Sequence, residues 1–299
     1  MRPDPIPDNQ AVYDLIAGRY DLLVEQSPFY ANLRRAELTL LDRHVRHSGP
    51  IRYALDIGCG TGETLHYFAR MGSSAHGIDF SPGMIESARA RIASFGQRVH
   101  LSCMDCTNTQ CWPSGPFDVV VSFNSVVNHL PDADAWKVFF ARTADVLEVS
   151  GIFIFTMDNI LALDSLGWLI AGFRDSHARR RVLSDVRGSL RCMMNGTAGK
   201  NEWPVVYQRR KLGLHLSYLP IARVKHLLSE SGFKVVAIYG VNAFSALTPS
   251  VAESATYAAR PRTTIARILT KIDTLASRRL HRLAANLIFC CERRAPPAV

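Results

Sequence analysis

Residues 53–62 read Y-A-L-D-I-G-C-G-T-G, and the rest of the chain can be interpreted around them. Tyr53–Ile57 is a short apolar run typical of a buried strand, and glycines then stand at positions 58, 60 and 62 before a helical pattern over 63–70. Glycines let the backbone turn sharply and approach a ligand, and the free N–H groups of a following helix can donate to an anionic group. The stretch therefore predicts a strand, a ligand-binding turn and a helix.

The spacing of the glycines distinguishes two kinds of ligand-binding turn. A dinucleotide-binding turn has the form G-x-G-x-x-G, but Glu63 stands where its third glycine belongs. The form x-D-x-G-x-G-x-G instead resembles motif I of the class I S-adenosylmethionine (SAM) dependent methyltransferases, in which this loop surrounds the methionine part of the cofactor. A glycine turn of some other doubly wound protein is the alternative. The resemblance implies these cofactor-binding residues in the loop: Asp56, Gly58, Cys59, Gly60 and Gly62.

A second acidic residue supports the resemblance. Residues 75–78 form another short apolar strand that ends at Asp79, 21 residues after Gly58. A carboxylate at the tip of the second strand is placed to accept hydrogen bonds from ribose hydroxyls. Ser81-Pro82 then caps and begins a helix that runs to about residue 95. The resemblance implies that Phe80 and Met84 contact the ribose or the adenine.

Polar residues also follow the third and fourth predicted strands. After the strand at 99–103, the resemblance assigns Asp105 and Cys106 to the cofactor, since a short polar side chain there can receive the adenine amino group; a solvated turn aspartate explains Asp105 as well. Residues 117–123 form a continuous apolar run typical of a central parallel strand. Ligands bind at the carboxyl ends of such strands, so we assign Asn124 to the cofactor and Asn128 to the acceptor.

His129 is the candidate catalytic residue. A hydroxyl acceptor must lose its proton as it attacks, and an imidazole with a pKa near 6.5 can take that proton at neutral pH. Two alternatives remain open at this point. His129 can simply hydrogen-bond to the backbone where the loop ends, or it can orient an amine acceptor that needs no strong base.

The first 45 residues predict a helical cover. Tyr13, Ile16, Tyr20 and Leu23 repeat at intervals of three and four on one face, and Ser27-Pro28 breaks the helix. The segment resembles the leading part of many small-molecule methyltransferases, which folds over the bound cofactor. That resemblance assigns Tyr20 to the cofactor and Tyr13 to the acceptor. An ordinary amphipathic helix packed on the domain is the alternative.

Residues 159–218 predict an inserted lid, because they have no counterpart in the minimal fold. The segment contains an apolar helical stretch over 161–173, a basic run at 179–181 that is more typical of a solvated helix face, and strand-like runs at 189–195 and 204–218. Arg209 and Arg210 lie on the second run, where strand alternation would turn one of them toward the acceptor. We predict that both positions belong to the substrate-binding region.

The C-terminal third predicts the end of a sheet. A helix over 221–231 and a strand over 233–239 precede a basic amphipathic helix at 261–283, and residues 286–292 resemble the antiparallel seventh strand of the family. The basic helix is tethered at both ends between two strands. We therefore favour a docked helix over one that lies on a membrane surface.

Composition narrows the class of protein. The chain has 299 residues, 47% hydrophobic and 20% charged, which is typical of one globular unit. Its seven cysteines are an odd number, and the C-x-x-C pair at 103 and 106 lacks a second pair, so we expect a reducing compartment and no metal. There is no apolar run of roughly 20 residues and no apolar signal core. We therefore expect a cytoplasmic protein without stable membrane insertion.

The net charge of +9 is unevenly distributed. Residues 1–158 carry 13 Lys and Arg against 18 Asp and Glu, whereas 159–218 carry 10 against 4 and 241–299 carry 9 against 3. A uniform basic stripe would indicate nucleic acid. Here the positive charge lies in the predicted substrate cover, which favours a small anionic acceptor.

These observations predict one α/β domain over 1–299 with a doubly wound, seven-stranded, mostly parallel sheet. Residues 1–48 would form the helical cover, 49–158 the SAM-binding core, 159–218 the antiparallel lid, and 219–299 the remaining sheet with the inserted basic helix. The expected activity is methyl transfer from SAM to an oxygen or nitrogen atom of a small acceptor. The alternatives are an RNA methyltransferase, for which no N-P-P-Y type signature follows the fourth strand, a protein methyltransferase, and an inactive interaction protein of the same fold.

Overall fold

The computed structural model describes residues 9–159, 199–207, 210–243 and 281–295, together with positions 268 and 273. The strands of the described chain are β1 (Tyr53–Ile57), β2 (Ser74–Asp79), β3 (Val99–Cys103), β4 (Phe117–Ser122), β5 (Leu147–Asp158), β6 (Gly199–Tyr207), β7 (Arg210–Tyr218), β8 (Phe233–Val241) and β9 (Asn286–Arg293). The α-helices described are α1 (Asn9–Ile16), α2 (Tyr20–Gln26), α3 (Pro28–His47), α4 (Glu63–Arg70), α5 (Pro82–Ile92), α6 (Ala133–Val146) and α7 (Ile221–Glu230).

One sheet of seven strands organises the described chain. The strands lie in the order β3-β2-β1-β4-β5-β9-β8, in which β1 to β5 pair in parallel and β9 is antiparallel to both of its neighbours. The predicted fold class is therefore confirmed, including the antiparallel strand near the C-terminus. The strand order reverses between β1 and β4, and the two strand ends at that point flank a crevice where ligands bind in sheets of this type.

Helices cover both faces of the sheet, which explains why its central strands are apolar on both sides. Along β5, Phe153 and Phe155 point to the face covered by α6 and α7, whereas Ile152 and Ile154 point to the face covered by α3, α4 and α5. Period-two alternation thus divides one strand between two hydrophobic cores. The sheet is therefore buried on both faces. The loops that follow β1, β2, β4 and β5 begin at its carboxyl edge.

The N-terminal helices pack against α5 at the carboxyl edge of the sheet. Tyr20, Leu23 and Val24 bury their side chains in one cluster with Met84 of α5. The predicted break at Ser27-Pro28 is confirmed, and the Ser27 hydroxyl accepts a hydrogen bond from the Tyr30 N–H group at 3.4 Å as the N-cap of α3. A single turn of 3₁₀ helix at 17–19 separates α1 from α2.

One predicted strand differs from the structure, and several other predicted features lie outside the described residues. The predicted single strand at 204–218 is wrong, because the chain reverses between Tyr207 and Arg210 and forms the antiparallel hairpin β6–β7. Arg209 lies outside the described residues, as do the predicted features at 161–198; Arg210 belongs to β7. The predicted basic helix at 261–283 lies largely outside them too, with helical backbone at positions 268 and 273 and a 3₁₀ turn at His281–Leu283. Within the described residues, no helix has the length and apolarity needed to cross a membrane.

Candidate functional site

The glycine turn after β1 takes a backbone conformation that favours glycine. The φ angles of Gly58, Gly60 and Gly62 are 76°, 52° and 80°. A Cβ atom at Gly58 would lie 2.3 Å from Cγ2 of Val126 in the loop after β4, so this glycine lets two ligand-binding loops touch. A Cβ atom at Gly60 would meet no atom of the described residues within 4 Å. The open side of Gly60 is therefore where a ligand can approach the backbone.

Asp79 ties the tip of β2 to this turn. Its Oδ2 accepts a hydrogen bond from the Gly60 N–H group at 2.8 Å, and its Oδ1 accepts one from the Ser81 N–H group at 2.9 Å. Burial raises the pKa of this carboxyl to about 6, against the opposing effect of the two N–H groups. Each carboxylate oxygen has a second lone pair, so the two contacts leave capacity for ligand hydroxyls.

A cleft that is partly open to solvent lies beside the turn on the side of β4. Asp56, at the end of β1, lies at its base and is 2% exposed. Burial raises the pKa of Asp56 well above its usual range, and the charges of Asp79 and Glu37 add to the effect. The other residues that line the cleft are Tyr20, Val24, Tyr30, Arg34, Glu37, Leu38, Gly58, Cys59, Gly60, Thr61, Glu63, Thr64, Phe123 and Asn124.

Glu37 of α3 is a site residue that sequence reasoning missed. It is 4% exposed, and its Oε1 accepts hydrogen bonds from the Asn124 N–H group at 2.7 Å and from the Thr156 hydroxyl at 2.5 Å. Burial raises its pKa to about 7. A signal was present in the sequence, because Glu37 stands four residues from both Leu33 and Leu41 on the core-facing stripe of the helix, where a carboxylate needs a partner.

Charged side chains pin the N-terminal helices to the glycine turn. Arg34 contacts Asp21 at 3.0 Å and Glu63 at 2.6 Å, the latter at the first residue of α4. Asp21 also accepts a hydrogen bond from the Thr61 hydroxyl at 2.8 Å and pairs with Arg91 of α5. The predicted cover is thus held over the turn by ion pairs as well as by the apolar stripe.

The loop after β4 begins with strained backbone at the mouth of the cleft. Asn124 and Ser125 both have positive φ angles, 51° and 60°, which cost free energy in residues other than glycine. Side chains on two other elements, α2 and β5, hold this conformation. Asn124 donates its side-chain amide to the Tyr20 hydroxyl at 2.5 Å, and Ser125 donates its hydroxyl to Asp158 at 2.6 Å. The predicted residues Tyr20 and Asn124 therefore meet each other beside the cleft.

His129 lies under α1 with both ring nitrogens in hydrogen bonds. Nδ2 of Asn9 lies 2.9 Å from Nδ1, and the hydroxyl of Tyr13 lies 3.0 Å from Nε2. The Asn9 amide is oriented by the backbone of His215 in β7, whose N–H group donates to Oδ1 and whose carbonyl accepts from Nδ2. Nδ2 is therefore a donor to Nδ1, so the ring proton of neutral His129 is on Nε2 and points to Tyr13.

The surroundings of His129 differ from those that the catalytic prediction assumes. Burial lowers the pKa of His129 to about 4, so the imidazole is neutral at pH 7 and is a weak proton acceptor. Its Nδ1 lone pair is engaged by Asn9, and Nε2 carries a proton. The geometry therefore favours a role in positioning over a role as general base.

The predicted acceptor contact of Asn128 does not fit its surroundings. Its side chain is fully buried, donates to the carbonyl of Ser217 at 2.7 Å and accepts from the N–H group of Asp158 at 2.8 Å. Asn128 therefore joins the loop after β4 to the ends of β5 and β7. Its amide satisfies backbone groups that would otherwise be buried without partners.

The remaining predicted residues lie around the second and third strands. Phe80 and His129 flank the ring of Tyr13 at centroid distances of 5.8 and 5.4 Å. Asp105 is exposed and caps its own turn through the N–H group of Thr107 at 2.8 Å, which is the geometry of the solvated-turn alternative. Cys106 packs against the core under α6, and Met84 anchors the N-terminal helices.

Comparisons with known proteins agree with this geometry. Residues 54–151 match a family described as a methyltransferase domain. Aklanonic acid methyltransferase DauC of Streptomyces sp. (strain C5) is 43% identical over 106 residues, which cover 34% of this chain and 46% of DauC. A ubiquinone biosynthesis O-methyltransferase of Bradyrhizobium sp. (strain ORS 278) is 32% identical over 100 residues, which cover 33% of this chain and 37% of that protein. The chain thus matches less than half the length of these two relatives.

A solved structure extends the likeness to the whole fold. The N-methyltransferase NodS of Bradyrhizobium japonicum WM9, solved in complex with S-adenosyl-L-homocysteine (SAH), superimposes with a TM-score of 0.55. The alignment covers 97% of this chain and 100% of NodS at 14% identity, so it speaks for the fold alone. Residues 54–151, which contain the glycine turn with Asp56 and Asp79, therefore match a methyltransferase domain, and the seven-stranded sheet is similar to the fold of class I, SAM-dependent methyltransferases.

Proposed function

We propose that this chain forms one methyltransferase domain that transfers a methyl group from SAM to an oxygen or nitrogen atom of a small acceptor. One observation carries the proposal. The backbone of Gly60 is open on one side to a ligand, and its N–H group donates a hydrogen bond to the Asp79 carboxylate. The Gly60 backbone and the Asp79 carboxylate thus place hydrogen-bonding groups for a nucleoside at one end of the crevice. The cleft lined by Asp56 and Arg34 stands at the other end, where the charged amino-acid end of SAM would lie.

The residues present fit the ribose and the amino-acid end of SAM chemically. Asp79 offers carboxylate lone pairs to the ribose, and the glycine turn and the first turn of α4 offer backbone N–H groups to a carboxylate. SAM, when bound, supplies an electrophilic methyl group on a sulfonium. The chain's own work is then to align the acceptor with that methyl group and to exclude water, which can supply much of the rate.

The aromatic side chains above the crevice suit the exclusion of water. The ring of Tyr13 stands between the rings of Tyr20, Phe80 and His129, at centroid distances of 6.5, 5.8 and 5.4 Å. These rings cover the carboxyl ends of β2 and β4. In this arrangement His129 holds Tyr13 in place as a neutral donor, so an acceptor that needs deprotonation must use another group or lose its proton to solvent.

We propose a small anionic molecule as the acceptor. The excess of Lys and Arg over Asp and Glu in 159–218 and 241–299 supports this choice, because such charge steers an anion toward the cofactor half of the chain. The name of DauC describes a methyltransferase for an acid, and the Bradyrhizobium relative is named as an O-methyltransferase. RNA or protein as acceptor remains the alternative class, together with an inactive protein of the same fold.

One labelling experiment separates these classes. The protein is incubated with methyl-labelled SAM and a fractionated cell extract, and label is measured in small molecules, RNA and protein. We expect label in an anionic small-molecule fraction, with kcat/KM that falls as ionic strength rises. Label in RNA or protein would show that the acceptor is a macromolecule and not a small anion. Tight SAM binding without any labelled product would indicate an inactive protein of the same fold. Absence of SAM binding would contradict the proposed function itself.

A further inference from the structure

The carboxyl end of β5 carries a carboxylate that the proposed cofactor site does not use. Asp158 is the last residue of β5, and β5 lies directly beside β4 in the sheet. The glycine turn and Asp79 lie on the other side of β4, at the ends of β1 and β2. A cofactor bound there leaves the ends of β4 and β5 for the acceptor, because ligands of such sheets lie along one carboxyl edge. Asp158 is therefore placed on the acceptor side of the proposed site.

Three neighbours fix the position of Asp158. Its Oδ1 accepts hydrogen bonds from the Ser125 hydroxyl at 2.6 Å and from the Asn286 amide at 2.9 Å, and its N–H group donates to Oδ1 of Asn128 at 2.8 Å. These three partners are buried, whereas Asp158 is partly exposed. Within the described residues, no hydrogen bond reaches Oδ2 of Asp158. The carboxylate is thus held through one oxygen and can accept a hydrogen bond from a ligand with the other.

Asp158 meets a requirement that His129 does not. Neutral His129 carries its proton on Nε2 and accepts from Asn9 at Nδ1, so it has no lone pair for an acceptor proton. Burial raises the pKa of Asp158 to about 6, although the hydrogen bonds from Ser125 and Asn286 lower it. A general base works best when its pKa lies near the operating pH. At pH 7 this carboxyl group is ionised and binds a proton more tightly than an ordinary aspartate does.

The negative charge also narrows the chemistry of the acceptor. A carboxylate beside an amine favours the ammonium form, which has no lone pair with which to attack a methyl group. A hydroxyl can donate to the same carboxylate and keeps its lone pairs. A phenolic hydroxyl, with a pKa of about 10 as in tyrosine, is acidic enough for a carboxylate to assist its ionisation, whereas a carboxylic acid ionises at neutral pH without help. A phenol therefore matches Asp158 best.

We propose that Asp158 is a catalytic residue whose Oδ2 accepts the proton of a phenolic hydroxyl on the acceptor during methyl transfer. The inference deepens the proposed function and rests on it. The O–H bond of the phenol breaks, its proton passes to Asp158, and the electron pair left on oxygen forms the bond to the methyl carbon of SAM. The bond between that carbon and sulfur breaks, and sulfur keeps the electron pair, which gives SAH. Asp158 then releases the proton to water.

Asp158→Asn tests this role with little change of structure. The asparagine oxygen can still accept from Ser125 and Asn286, while an NH₂ group replaces the oxygen that would take the proton. Initial rates are measured at saturating SAM with the anionic small-molecule fraction that the wild-type protein labels. We expect the rate to fall at least tenfold, and the acidic limb of the pH profile, with its midpoint near pH 6 in the wild type, to disappear.

Asp132→Asn is the matched control for that variant. Asp132 is exposed and caps the start of α6 through the N–H group of Ala135, and asparagine is an equally good N-cap. The substitution removes a carboxylate three residues after His129 without changing the proposed base. We expect the wild-type rate and the wild-type acidic limb.

Other groups that titrate in the same range call for a second variant. The titratable and charged groups on the elements around Asp158 are Glu37 on α3, His129 in the loop after β4, His215 on β7, and His281 and Arg282 in the turn before β9. Ser125→Ala removes a hydrogen bond that lowers the pKa of Asp158 and leaves the contacts of Glu37 in place. The acidic limb should therefore move to higher pH. An unshifted limb would show that another group titrates.

A readout without turnover follows the carboxyl group itself. In ligand-free protein labelled with ¹³C at aspartate carboxyl groups, the Asp158→Asn spectrum assigns the signal of Asp158. Its midpoint should lie near pH 6 and should rise in Ser125→Ala. A midpoint near 4, the value of an ordinary aspartate, would overturn the assignment of Asp158 as the base.

The labelled product tests the acceptor class. With ¹³C-methyl SAM, NMR distinguishes O-methyl from N-methyl groups, and mild alkali hydrolyses a methyl ester but leaves an aryl methyl ether intact. We expect an aryl methyl ether. An N-methyl product or a methyl ester would overturn the inference and leave a small-molecule methyltransferase, as would an Asp158→Asn protein with the wild-type rate and acidic limb.

Failure of the proposed function has a different signature. Label only in RNA or protein, no labelled product, or no SAM binding by the wild-type protein would remove the proposed function and the inference with it. If Asp158→Asn does not fold, the acidic limb of Ser125→Ala decides: a shift to higher pH supports the role of Asp158, and an unchanged limb overturns it.

Discussion

Nδ2 of Asn9 lies 2.9 Å from Nδ1 of His129, and this contact joins the first residue of α1 to the loop after β4. The same amide exchanges two hydrogen bonds with the backbone of His215 in β7. One asparagine thus ties together the N-terminal cover, the acceptor-side loop and the hairpin. The contact also sets the tautomer of the histidine, from which the first prediction follows.

His129 should be a neutral Nε2–H imidazole at pH 7 and should titrate near pH 4. Burial disfavours the charged ring, so its folded pKa lies below the unfolded value of about 6.5. ¹⁵N NMR of imidazole-labelled protein distinguishes the two nitrogens and follows the titration, and the His129→Gln spectrum assigns the signal. An Nδ1–H signal, or a midpoint near 6.5, would restore the general-base hypothesis.

Removal of Asn9 should release that ring. In Asn9→Ala, Nδ1 loses its donor and α1 loses two bonds to β7, so we expect the midpoint of His129 to move up toward 6.5 as water gains access. The matched control is Gln10→Ala, one position further along α1. An unchanged midpoint in Asn9→Ala would show that burial by other groups, and not the Asn9 contact, sets the pKa.

Substitution of Asp79 should weaken cofactor binding, whereas substitution of Asp105 should leave it nearly unchanged. Asp79→Ala leaves the N–H groups of Gly60 and Ser81 without their acceptor and removes the ribose partner, so SAH binding should weaken by about 1–3 kcal/mol, or roughly fivefold to 150-fold. Asp105→Ala removes only a capped surface turn and should bind SAH within about twofold of wild type. Calorimetry on both folded variants decides; a large loss in Asp105→Ala would instead support its predicted contact with adenine.

Alanine at the first two glycines should have different consequences. In Gly58→Ala the new Cβ atom meets Val126 at 2.3 Å and φ is 76°, so we expect the free energy of unfolding to fall by about 2–4 kcal/mol. In Gly60→Ala the new atom enters open space, so stability should fall by only about 1–2 kcal/mol while SAH affinity drops. Urea unfolding and calorimetry measure the two effects. A Gly60→Ala protein with wild-type SAH affinity would mean that the ligand does not approach this face of the turn.

Asn128→Ala should affect folding and leave cofactor binding intact. The truncation strands the N–H group of Asp158 and the carbonyl of Ser217 in a buried site, which costs about 1–3 kcal/mol for each group that water cannot reach. Urea unfolding should show this loss, and SAH affinity of the folded variant should stay within about twofold. A stable variant whose acceptor KM rises would return Asn128 to the substrate-binding residues.

Stability of the ligand-free protein should fall as pH rises from about 4.5 to 7. Burial raises the pKa of Glu37 to about 7 and those of Asp79 and Asp158 to about 6, so the folded state keeps protons that the unfolded state has lost. His129, with its lowered pKa, acts in the opposite direction below pH 6.5. Glu37→Gln should make the fall between pH 5 and 7 shallower by about 1 kcal/mol per pH unit. An identical slope in urea titrations of the variant would show that Glu37 is ionised throughout this range.

The sequence by itself determined the architecture of the cofactor half. Local spacing fixes the glycine turn and the positions of Asp56 and Asp79 at strand ends, because side-chain periodicity and turn chemistry act over a few residues. The apolar runs of β4 and β5 predicted strands that are buried on both faces, and Ser27-Pro28 predicted a helix break. Both strands and the break are present in the structure. The antiparallel seventh strand was predicted from its resemblance to the family.

Only the tertiary structure decided which side chains share a site and in what protonation state. Glu37 stands 19 residues before Asp56 in the sequence, and its partners Asn124 and Thr156 are 87 and 119 residues away. Likewise, Asn9 of α1, 120 residues earlier in the chain, contacts His129, and burial lowers the pKa of that imidazole. Desolvation and partner geometry set a pKa, and both depend on chain segments that only folding brings together.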